Sequence, residues 1–255
     1  MVQYQSSNPP APSVPASFGN LSLAMITVSV LIPAFNEERT ILTVLEKVAE
    51  QTIEGVELDV VVIDDGSTDS TAQLVESNPR PRQRLIRAAV NGGKGAAVIA
   101  GLKQLDGDYV LFQDADLEYS PSDYGKLLRP VVEFGADIVM GSRFSAPEYT
   151  RVHYYWHRFG NRRLTGLFNV LFNTTFTDVY SCYLLLRRSL INPDELHALG
   201  WDQQAEILGL AVPRAKVIYE VPITYRGRTY DEGKKIRAQH GVIVAWQIVK
   251  RRFLR

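Results

Sequence analysis

The sequence predicts a three-layer α/β/α fold with a mostly parallel central sheet. Apolar, often β-branched segments alternate with amphipathic helical segments from about residue 27 to residue 141, and this alternation is typical of parallel sheets with helical crossovers. Three of the strands also end in polar, mostly acidic loops. Because ligands of open α/β sheets bind outside the carboxyl ends of the strands, these loops predict one shared cleft.

The elements follow from the spacing of their apolar residues. The run at 58–63 is nearly continuously apolar, which indicates a central strand buried on both faces. Ile41, Leu45 and Val48 recur at helical spacing, which indicates an amphipathic helix. The predicted strands are 27–33, 58–63, 84–89, 108–113 and 137–141, and the predicted helices are 38–51, 69–77, 95–105 and 122–134.

The second half of the chain is basic and aromatic. Residues 1–150 contain 11 Lys and Arg against 20 Asp and Glu, whereas residues 151–255 contain 17 against 8. Residues 154–172 predict an amphipathic pair of helices, and residues 237–252 predict a helix with a basic end. Both segments suit either the protein core or the interface of an anionic membrane. We expect no nucleic-acid partner because no nucleic-acid-reading motif is present.

The folded part is expected to be a single domain over residues 21–255. Residues 1–20 are rich in Pro, Ser and Ala without any charge, which predicts a disordered tail. No apolar run reaches about 18 residues, so no transmembrane helix is expected. Cys182 is the single cysteine; it excludes an internal disulfide, and its apolar surroundings favour a packing role.

The segment after the fourth predicted strand indicates a metal site. Asp114, Asp116 and Glu118 occupy alternate positions, and alternate residues of a strand face the same way. Carboxylates gathered on one face repel one another unless a cation lies between them, and their oxygens suit Mg²⁺ or Mn²⁺ bridging to phosphate. A solvated acidic turn is the alternative. The second acidic strand end, at 64–65, favours the metal site.

Two further segments suggest contacts with phosphate. Residues 91–95 place three glycines and a lysine at a helix start, which is typical of a phosphate cradle and equally of a tight strand–helix turn. Residues 226–237 place five basic side chains around a glycine-containing loop. Such a loop would neutralise a leaving diphosphate and close as a lid, unless it is an ordinary polar loop.

Together these segments resemble the inverting GT-A glycosyltransferases of family 2, within the branch that transfers mannose or glucose to dolichyl or polyprenyl phosphate. The resemblance covers about residues 27–237 and implies the GT-A fold. The matching motifs keep their order along the chain: Pro33-Ala-Phe-Asn-Glu37, Asp64-Asp-Gly-Ser-Thr-Asp69, Asn91-Gly-Gly-Lys-Gly95, Asp114-Ala-Asp-Leu-Glu118, Gly141-Ser-Arg143, Gly160-Asn-Arg162, Thr177-Asp178, and Glu220-Val-Pro-Ile with Arg226 and Arg228.

The resemblance implies a role for each matching position. Asp116 and Glu118 would bind Mg²⁺ or Mn²⁺ with the diphosphate of GDP-mannose or UDP-glucose. Arg143 would meet the acceptor phosphate or the donor sugar, and Arg228 with Lys234 would clamp phosphates from the closing loop. The candidate nucleotide-sugar contacts are Pro33, Ala34, Phe35, Glu37, Asp65, Lys94, Asp114, Ala115, Arg228 and Lys234, and the candidate catalytic residues are Asp116, Arg143, Arg228 and Asp178.

Two positions depart from the family pattern, because Glu118 stands where Gln is frequent and Leu184 where Lys is frequent. The implied reaction needs no strong general base, since a lipid phosphate oxygen is already anionic near neutral pH. Catalysis would then depend on positioning and charge neutralisation. Asp178 and Glu206 are candidates for orienting the acceptor or an arginine.

Three functions are compatible with the sequence. The leading one is metal-dependent hexose transfer to a polyprenyl phosphate by a protein attached peripherally to the cytoplasmic face of a membrane, with a membrane-anchoring subunit as a further candidate partner. A soluble or glycan hydroxyl acceptor is the second, and it would require a base such as Asp178. A non-catalytic sugar-nucleotide-binding subunit is the third, and the intact acidic motif argues against it.

Overall fold

The computed structural model describes residues 25–145, 155–227 and 240–254, apart from the side chains of His157 and His240. Its strands are β1 Ile26–Ala34, β2 Val56–Asp64, β3 Gln83–Arg87, β4 Tyr109–Phe112, β5 Ile138–Ser142, β6 Leu184–Arg187 and β7 Ile218–Pro222. Its α-helices are α1 Ile41–Ala49, α2 Thr71–Ser77, α3 Lys94–Leu102, α4 Tyr124–Phe134, α5 Tyr155–Phe172, α6 Gln203–Ala211 and α7 His240–Phe253.

The strands form one sheet in the order β3-β2-β1-β4-β6-β5-β7. Strand β6 is antiparallel to β4 and β5, and the other neighbours are parallel. The predicted mostly parallel α/β fold is therefore confirmed. From β1 the chain adds β2 and β3 on one side and then returns to place β4 on the other side. The loops after β1 and β4 consequently diverge and leave a crevice between them.

The central strands are buried because their side chains are apolar on both faces. Val30, Leu31 and Ile32 of β1 have no exposed surface. Helix α1 covers one face with residues at helical spacing, among them Ile41 and Leu45. This packing fixes the carboxyl ends of the strands, and with them the loops that form the crevice.

The structure corrects three expectations. Residues 155–172 form one helix rather than two. Strand β4 ends at Phe112, so the three acids that follow lie in a loop and not along one face of a strand. Strands β6 and β7 and helix α6 were not predicted from the sequence. The tail at residues 1–20 lies outside the described residues, and the domain boundaries stay a prediction. No helix within the described ranges is both long and apolar enough to cross a membrane.

Candidate active site

A cavity of about 380 Å³ lies at the carboxyl ends of β1, β2 and β4, a size typical of small-molecule sites. The loop after β1 contributes the predicted residues Pro33, Ala34, Phe35 and Glu37, and the loop after β2 contributes Asp65. The predicted residues of the third and fourth motifs also line it, namely Lys94, Asp114, Ala115, Asp116 and Glu118. The structure therefore brings the predicted residues of four separate loops to one place.

Asp65 holds the glycine loop in position. Its buried carboxylate accepts the backbone N–H groups of Gly92 and Gly93, each at 2.9 Å. The N–H of Gly95 donates to the carbonyl of Leu199 at 2.9 Å. Because these three amides are engaged within the protein, the loop is a tight strand–helix turn, and the phosphate-cradle interpretation is wrong for them.

Lys94 and Asp114 form an ion pair in the cavity wall. The Nζ atom of Lys94 lies 2.5 Å from Oδ1 of Asp114 and 6.0 Å from the ring centroid of Trp201. Burial by itself lowers the pKa of Lys94, but the negative charge of Asp114 outweighs it and raises that pKa above its ordinary value. Asp114 is thus neutralised by a lysine and does not need a metal ion for compensation.

A buried amide anchors the acidic loop after β4. Gln113 has no exposed surface. Its Oε1 accepts the hydroxyls of Tyr124 and Tyr183 at 2.9 and 2.8 Å, and its Nε2 donates to the carbonyl of Asp114 at 2.9 Å. With these hydrogen bonds the loop leaves the strand in one defined direction, so the carboxylates beyond it are held at the cavity.

Asp116 and Glu118 are the carboxylates of this loop that suit a hard cation. Oδ1 of Asp116 accepts the N–H of Glu118 at 3.0 Å, and Oε2 of Glu118 accepts the hydroxyl of Tyr225 at 2.8 Å. Within the described ranges, no group of three or more His, Cys, Asp or Glu side chains could hold an ion. Mg²⁺ commonly binds one or two carboxylates and completes its shell with substrate phosphate and water, so this donor pair fits a divalent cation.

Arg143 enters the cavity after β5 and is fixed by Asp178. The carboxylate of Asp178 accepts Nε of Arg143 at 2.7 Å and Nη2 at 2.9 Å, and it also accepts the side-chain amide of Asn161 at 3.0 Å. Burial raises the pKa of Asp178, but the adjacent guanidinium lowers it below its ordinary value. Asp178 does not itself line the cavity, so the geometry suits a residue that orients Arg143.

Arg143 also connects the acidic loop to α5 through aromatic rings. Its guanidinium carbon lies 5.1 Å from the ring centroid of Tyr225 and 5.5 Å from that of Phe144. The guanidinium carbon of Arg158, in the first turn of α5, lies 5.4 Å from the same Phe144 ring. Since Tyr225 bonds to Glu118, the Arg143 cation lies between the candidate metal ligand and the start of α5.

Several cavity residues were missed in the sequence. They are Tyr119, Tyr180, Trp201, Gln203, Gln204 and Tyr225. Most of them belong to segments that carry no chemical motif, and the Gly-Trp pair before α6 was the one local signal.

Cys182 also lines the cavity, where burial raises the pKa of its thiol well above the ordinary value.

Two predicted residues of the described ranges, Asp178 and Glu206, do not line the cavity. Glu206 is buried away from it and accepts the N–H groups of His197 and Ala198 at 2.8 and 2.7 Å, so its candidate role is indirect. Arg228 and Lys234 lie outside the described residues, and their roles stay predictions.

The fold and this site define a class of protein. A mostly parallel sheet with an acidic loop at the β1/β4 crevice is the architecture of a GT-A glycosyltransferase. The model of glycosyl transferase family 2 matches residues 29–192, and the chain belongs to this family. The resemblance and the enzyme class predicted from the motifs are thereby confirmed.

Relatives of known name share part of this chain. It is 29% identical over 211 residues to an undecaprenyl-phosphate 4-deoxy-4-formamido-L-arabinose transferase of Edwardsiella ictaluri, covering 81% of this chain and 62% of that protein. It is 28% identical over 210 residues to a dolichol-phosphate mannosyltransferase of Pyrococcus furiosus, covering 81% and 58%. The chain therefore spans about three fifths of the length of these relatives.

A solved structure shares the fold. Glucosyl-3-phosphoglycerate synthase from Mycobacterium tuberculosis, in complex with Mn²⁺, UDP and phosphoglyceric acid, superposes with a TM-score of 0.66 at 22% identity. The match covers 90% of this chain and 80% of that one. At this identity the match establishes the architecture, and the substrates of the chain have to be argued from its own residues.

Proposed function

We propose that the protein transfers a hexose from GDP-mannose or UDP-glucose to a polyprenyl or dolichyl phosphate, with Mg²⁺ or Mn²⁺ at Asp116 and Glu118. The position of Arg143 carries this proposal. Its cation lies between the acidic loop and the aromatic, basic start of α5. A lipid phosphate requires such a combination, because a cation binds the headgroup while apolar side chains contact the hydrocarbon.

The relatives support the acceptor class. Their names specify undecaprenyl phosphate and dolichol phosphate as acceptors, and both are long isoprenoid chains that end in phosphate. The described cavity lining contains no histidine, and the Asp178 carboxylate is occupied by Arg143. These features favour an acceptor that arrives already anionic over a hydroxyl that must lose its proton.

The reaction requires one bond to form and one to break. An acceptor phosphate oxygen bonds to the anomeric carbon while the bond from that carbon to the donor diphosphate breaks, and the nucleoside diphosphate leaves. Arg143 would hold the acceptor phosphate in line, and Asp178 would hold Arg143. A cation at Asp116 and Glu118 would neutralise the leaving diphosphate. Arg228 and Lys234 are proposed to add positive charge there.

We also propose peripheral attachment to the cytoplasmic face of a membrane through α5 and α7, with a membrane-anchoring subunit as a candidate partner. The two helices pack together. Trp156 on α5 is 73% exposed and Trp246 on α7 is 59% exposed, and aromatic side chains of this kind are favoured at membrane interfaces. Attachment there would bring the cavity to its lipid substrate.

The test is a matrix of donors and acceptors. Purified protein with Mg²⁺ or Mn²⁺ receives labelled GDP-mannose, UDP-glucose or UDP-GlcNAc, each with and without polyprenyl phosphate, and label in the organic phase is counted. One donor should give metal-dependent lipid product. Asp116→Asn should lower the rate at least about 100-fold. Glu133→Gln, which removes a surface partner of Arg129 at 2.7 Å, should leave the rate unchanged.

The other outcomes distinguish the remaining functions. Full activity without metal, or in Asp116→Asn, would contradict the proposal. Release of nucleoside diphosphate without any lipid product would indicate a hydroxyl acceptor. Tight binding of a nucleotide sugar without turnover on any acceptor would indicate a binding subunit.

A further inference from the structure

We propose that Gln203 hydrogen-bonds a hydroxyl group of the transferred sugar and that Trp201 forms the apolar surface beside the sugar ring. This inference rests on the proposed function and deepens it, because it concerns recognition of the donor hexose and is independent of the acceptor. Trp201 lies just before α6 and Gln203 is the first residue of that helix, in a segment without a predicted motif.

Gln203 presents a buried side-chain amide to the cavity without a protein partner. It is 5% exposed and lines the cavity. Its backbone N–H donates to the carbonyl of Gly200, but its side chain forms no hydrogen bond with any residue of the described ranges. The amide is not sealed from the cavity either. Buried polar groups are nearly always paired with protein or water in native proteins, so this amide has its hydrogen-bonding capacity directed to the cavity, where a ligand can replace water.

Three other glutamine side chains, those of buried Gln113 and Gln247 and half-buried Gln204, contrast with it. Gln113 uses both its oxygen and its nitrogen within the protein. Gln204 donates to backbone carbonyls of the segment before β6, and Gln247 donates to Glu206 at 2.9 Å. Gln203 differs from these three side chains because its amide forms no hydrogen bond with any described residue, whereas each of theirs forms at least one.

The surroundings of Gln203 suit a sugar better than a phosphate. An amide offers neutral donors and an acceptor, which match hydroxyl groups. Residues 200–204 read Gly-Trp-Asp-Gln-Gln and contain no basic side chain. The Trp201 ring lies near Lys94, at 6.0 Å from its Nζ, and an aromatic face offers apolar surface for the C–H side of a pyranose.

The wall that carries Gln203 is fixed by hydrogen bonds to other elements. The hydroxyl of Tyr180 donates to the carbonyl of Trp201. The carbonyl of Leu199 accepts the N–H of Gly95 at the start of α3. The backbone that carries Gln203 is consequently fixed before a substrate binds, and a pre-formed wall can discriminate between sugars.

The test compares ligand binding by wild-type protein and Gln203→Met, which keeps a similar side-chain volume and removes the amide. Calorimetry with Mg²⁺ measures Kd for UDP, UDP-glucose, GDP and GDP-mannose. The variant should bind the preferred nucleotide sugar about tenfold more weakly and the matching nucleoside diphosphate as tightly as wild type. Its Tm should be equal to or above that of wild type. A purely structural role would lower the Tm and weaken both ligands together.

Donors that lack one hydroxyl identify the contact. Wild-type protein should discriminate against at least one deoxy analogue of the preferred donor by about tenfold, and Gln203→Met should bind that analogue and its parent equally. Gln51→Met is the matched control, because the amide of Gln51 bonds to the carbonyl of Lys47 at 2.8 Å outside the cavity. It should retain all wild-type affinities.

The possible failures are distinguishable. If Gln203→Met keeps wild-type affinity for the nucleotide sugar and for every deoxy analogue, the inference is overturned while lipid product formed by wild type still supports the proposed function. If wild-type protein binds none of the nucleotide sugars, the proposed function fails and the inference fails with it.

Discussion

Arg143 and Asp178 show how single residues prepare this cavity for charge. A guanidinium that must bind phosphate is useful only if it points into the cavity, and its long side chain has many rotamers. The two-point contact with a fully buried carboxylate removes that freedom. Lys94 and Asp114 make a similar pair at the wall. The polar groups are therefore oriented within the free protein, before binding.

Asp178→Asn tests this orientation. Asparagine retains the shape and removes the charge, which leaves a largely buried guanidinium uncompensated and should cost about 3 kcal/mol of folding free energy. Displacement of Arg143 should lower kcat/KM for polyprenyl phosphate about 100-fold, while the Kd of the nucleotide sugar stays unchanged. Thermal denaturation, calorimetry and acceptor-dependent rates measure the three quantities.

A matched control separates stability from orientation. Asp137 pairs with Arg187 at 2.9 Å outside the cavity, so Asp137→Asn should lower the Tm without changing acceptor kcat/KM. Wild-type acceptor kinetics in Asp178→Asn would contradict the positioning role.

At the scale of elements, the junction of α3 with the segment before α6 sets one cavity wall. Gly95 lies against that segment, and a Cβ atom there would stand 2.6 Å from the carbonyl carbon of Leu199. Gly95→Ala should therefore displace the wall, lower the free energy of unfolding by about 1–3 kcal/mol and raise the donor KM.

Gly166→Ala on α5 is the control. A Cβ atom at Gly166 meets nothing within 4 Å, so this substitution should stabilise the helix by about 0.5–1 kcal/mol. Urea denaturation measures the free energy of unfolding of both variants. Equal effects of the two substitutions would refute the contact between Gly95 and the segment before α6.

Glu206 links α6 to α7 and makes stability dependent on pH. It accepts the amide of Gln247 at 2.9 Å and a hydrogen bond from Arg251, besides two backbone N–H groups. Burial raises its pKa, but the hydrogen bonds from the N–H of Ala198, from Arg251 and from the N–H of His197 outweigh burial and lower the pKa below the ordinary value. A carboxylate whose pKa is lower in the folded protein stabilises the fold above the unfolded pKa of about 4.3, and this contribution is lost as pH falls through the folded value.

We therefore expect Glu206→Gln to lower the free energy of unfolding by about 3 kcal/mol at pH 7 and to flatten the decline of Tm on acidification below about pH 5. Glu46→Gln, an exposed residue 4.0 Å from Arg80, should follow the wild-type curve. Parallel curves for wild type and Glu206→Gln would show that another group causes the acid sensitivity.

The elements differ in how far the sequence could predict them. The helices α1 and α4 and the strands β1 and β2 have clear periods or long apolar runs. Strand β6 has only four residues between two neighbouring strands, and its three leucines followed by Arg187 show no diagnostic period. Helix α6 is buried on nearly all sides, so it lacks the polar face that reveals an amphipathic helix.

The residues of the candidate site likewise differ in how far the sequence could predict them. Residues in the loops that follow parallel strands were predictable, because those strand ends converge at one edge of the sheet. Asp65, Lys94 and Asp116 are of this kind. Trp201 and Gln203 depend on a long-range contact between α3 and the segment before α6, and no local pattern encodes such a contact.

At the scale of the whole molecule, the acidic and basic halves of the chain serve different surfaces. The acidic half supplies the loops after β2 and β4, whereas residues 151–255 contain 17 basic against 8 acidic residues. Helix α7 ends in Lys250, Arg251 and Arg252, and Arg158 on α5 contacts Phe144 beside Arg143. Basic residues near exposed aromatic rings suit an anionic membrane surface, which on our proposal would attract the protein electrostatically before apolar side chains enter the lipid.

Vesicle binding tests this surface. We expect the protein to sediment with phosphatidylcholine vesicles that contain phosphatidylglycerol, less with pure phosphatidylcholine, and less at high salt because the charges are screened. Trp156→Ser with Trp246→Ser should reduce the bound fraction strongly, since both rings are largely exposed and their burial in lipid drives binding. The rate with a short, water-soluble prenyl phosphate should be unchanged in this variant, because neither tryptophan lines the cavity.

The control for vesicle binding is Phe134→Ser on α4. Phe134 is 56% exposed and stacks on Tyr219 of the edge strand β7 with the ring centroids 5.2 Å apart. Its substitution therefore removes an exposed aromatic ring, as the tryptophan substitutions do, but from another part of the surface. Wild-type vesicle binding in this control, with loss in the double tryptophan variant, would locate attachment at α5 and α7. Equal losses in both would mean that general hydrophobicity drives sedimentation. Absence of binding to either vesicle at low salt would contradict peripheral attachment, and the lipid acceptor would then have to reach Arg143 through a partner protein.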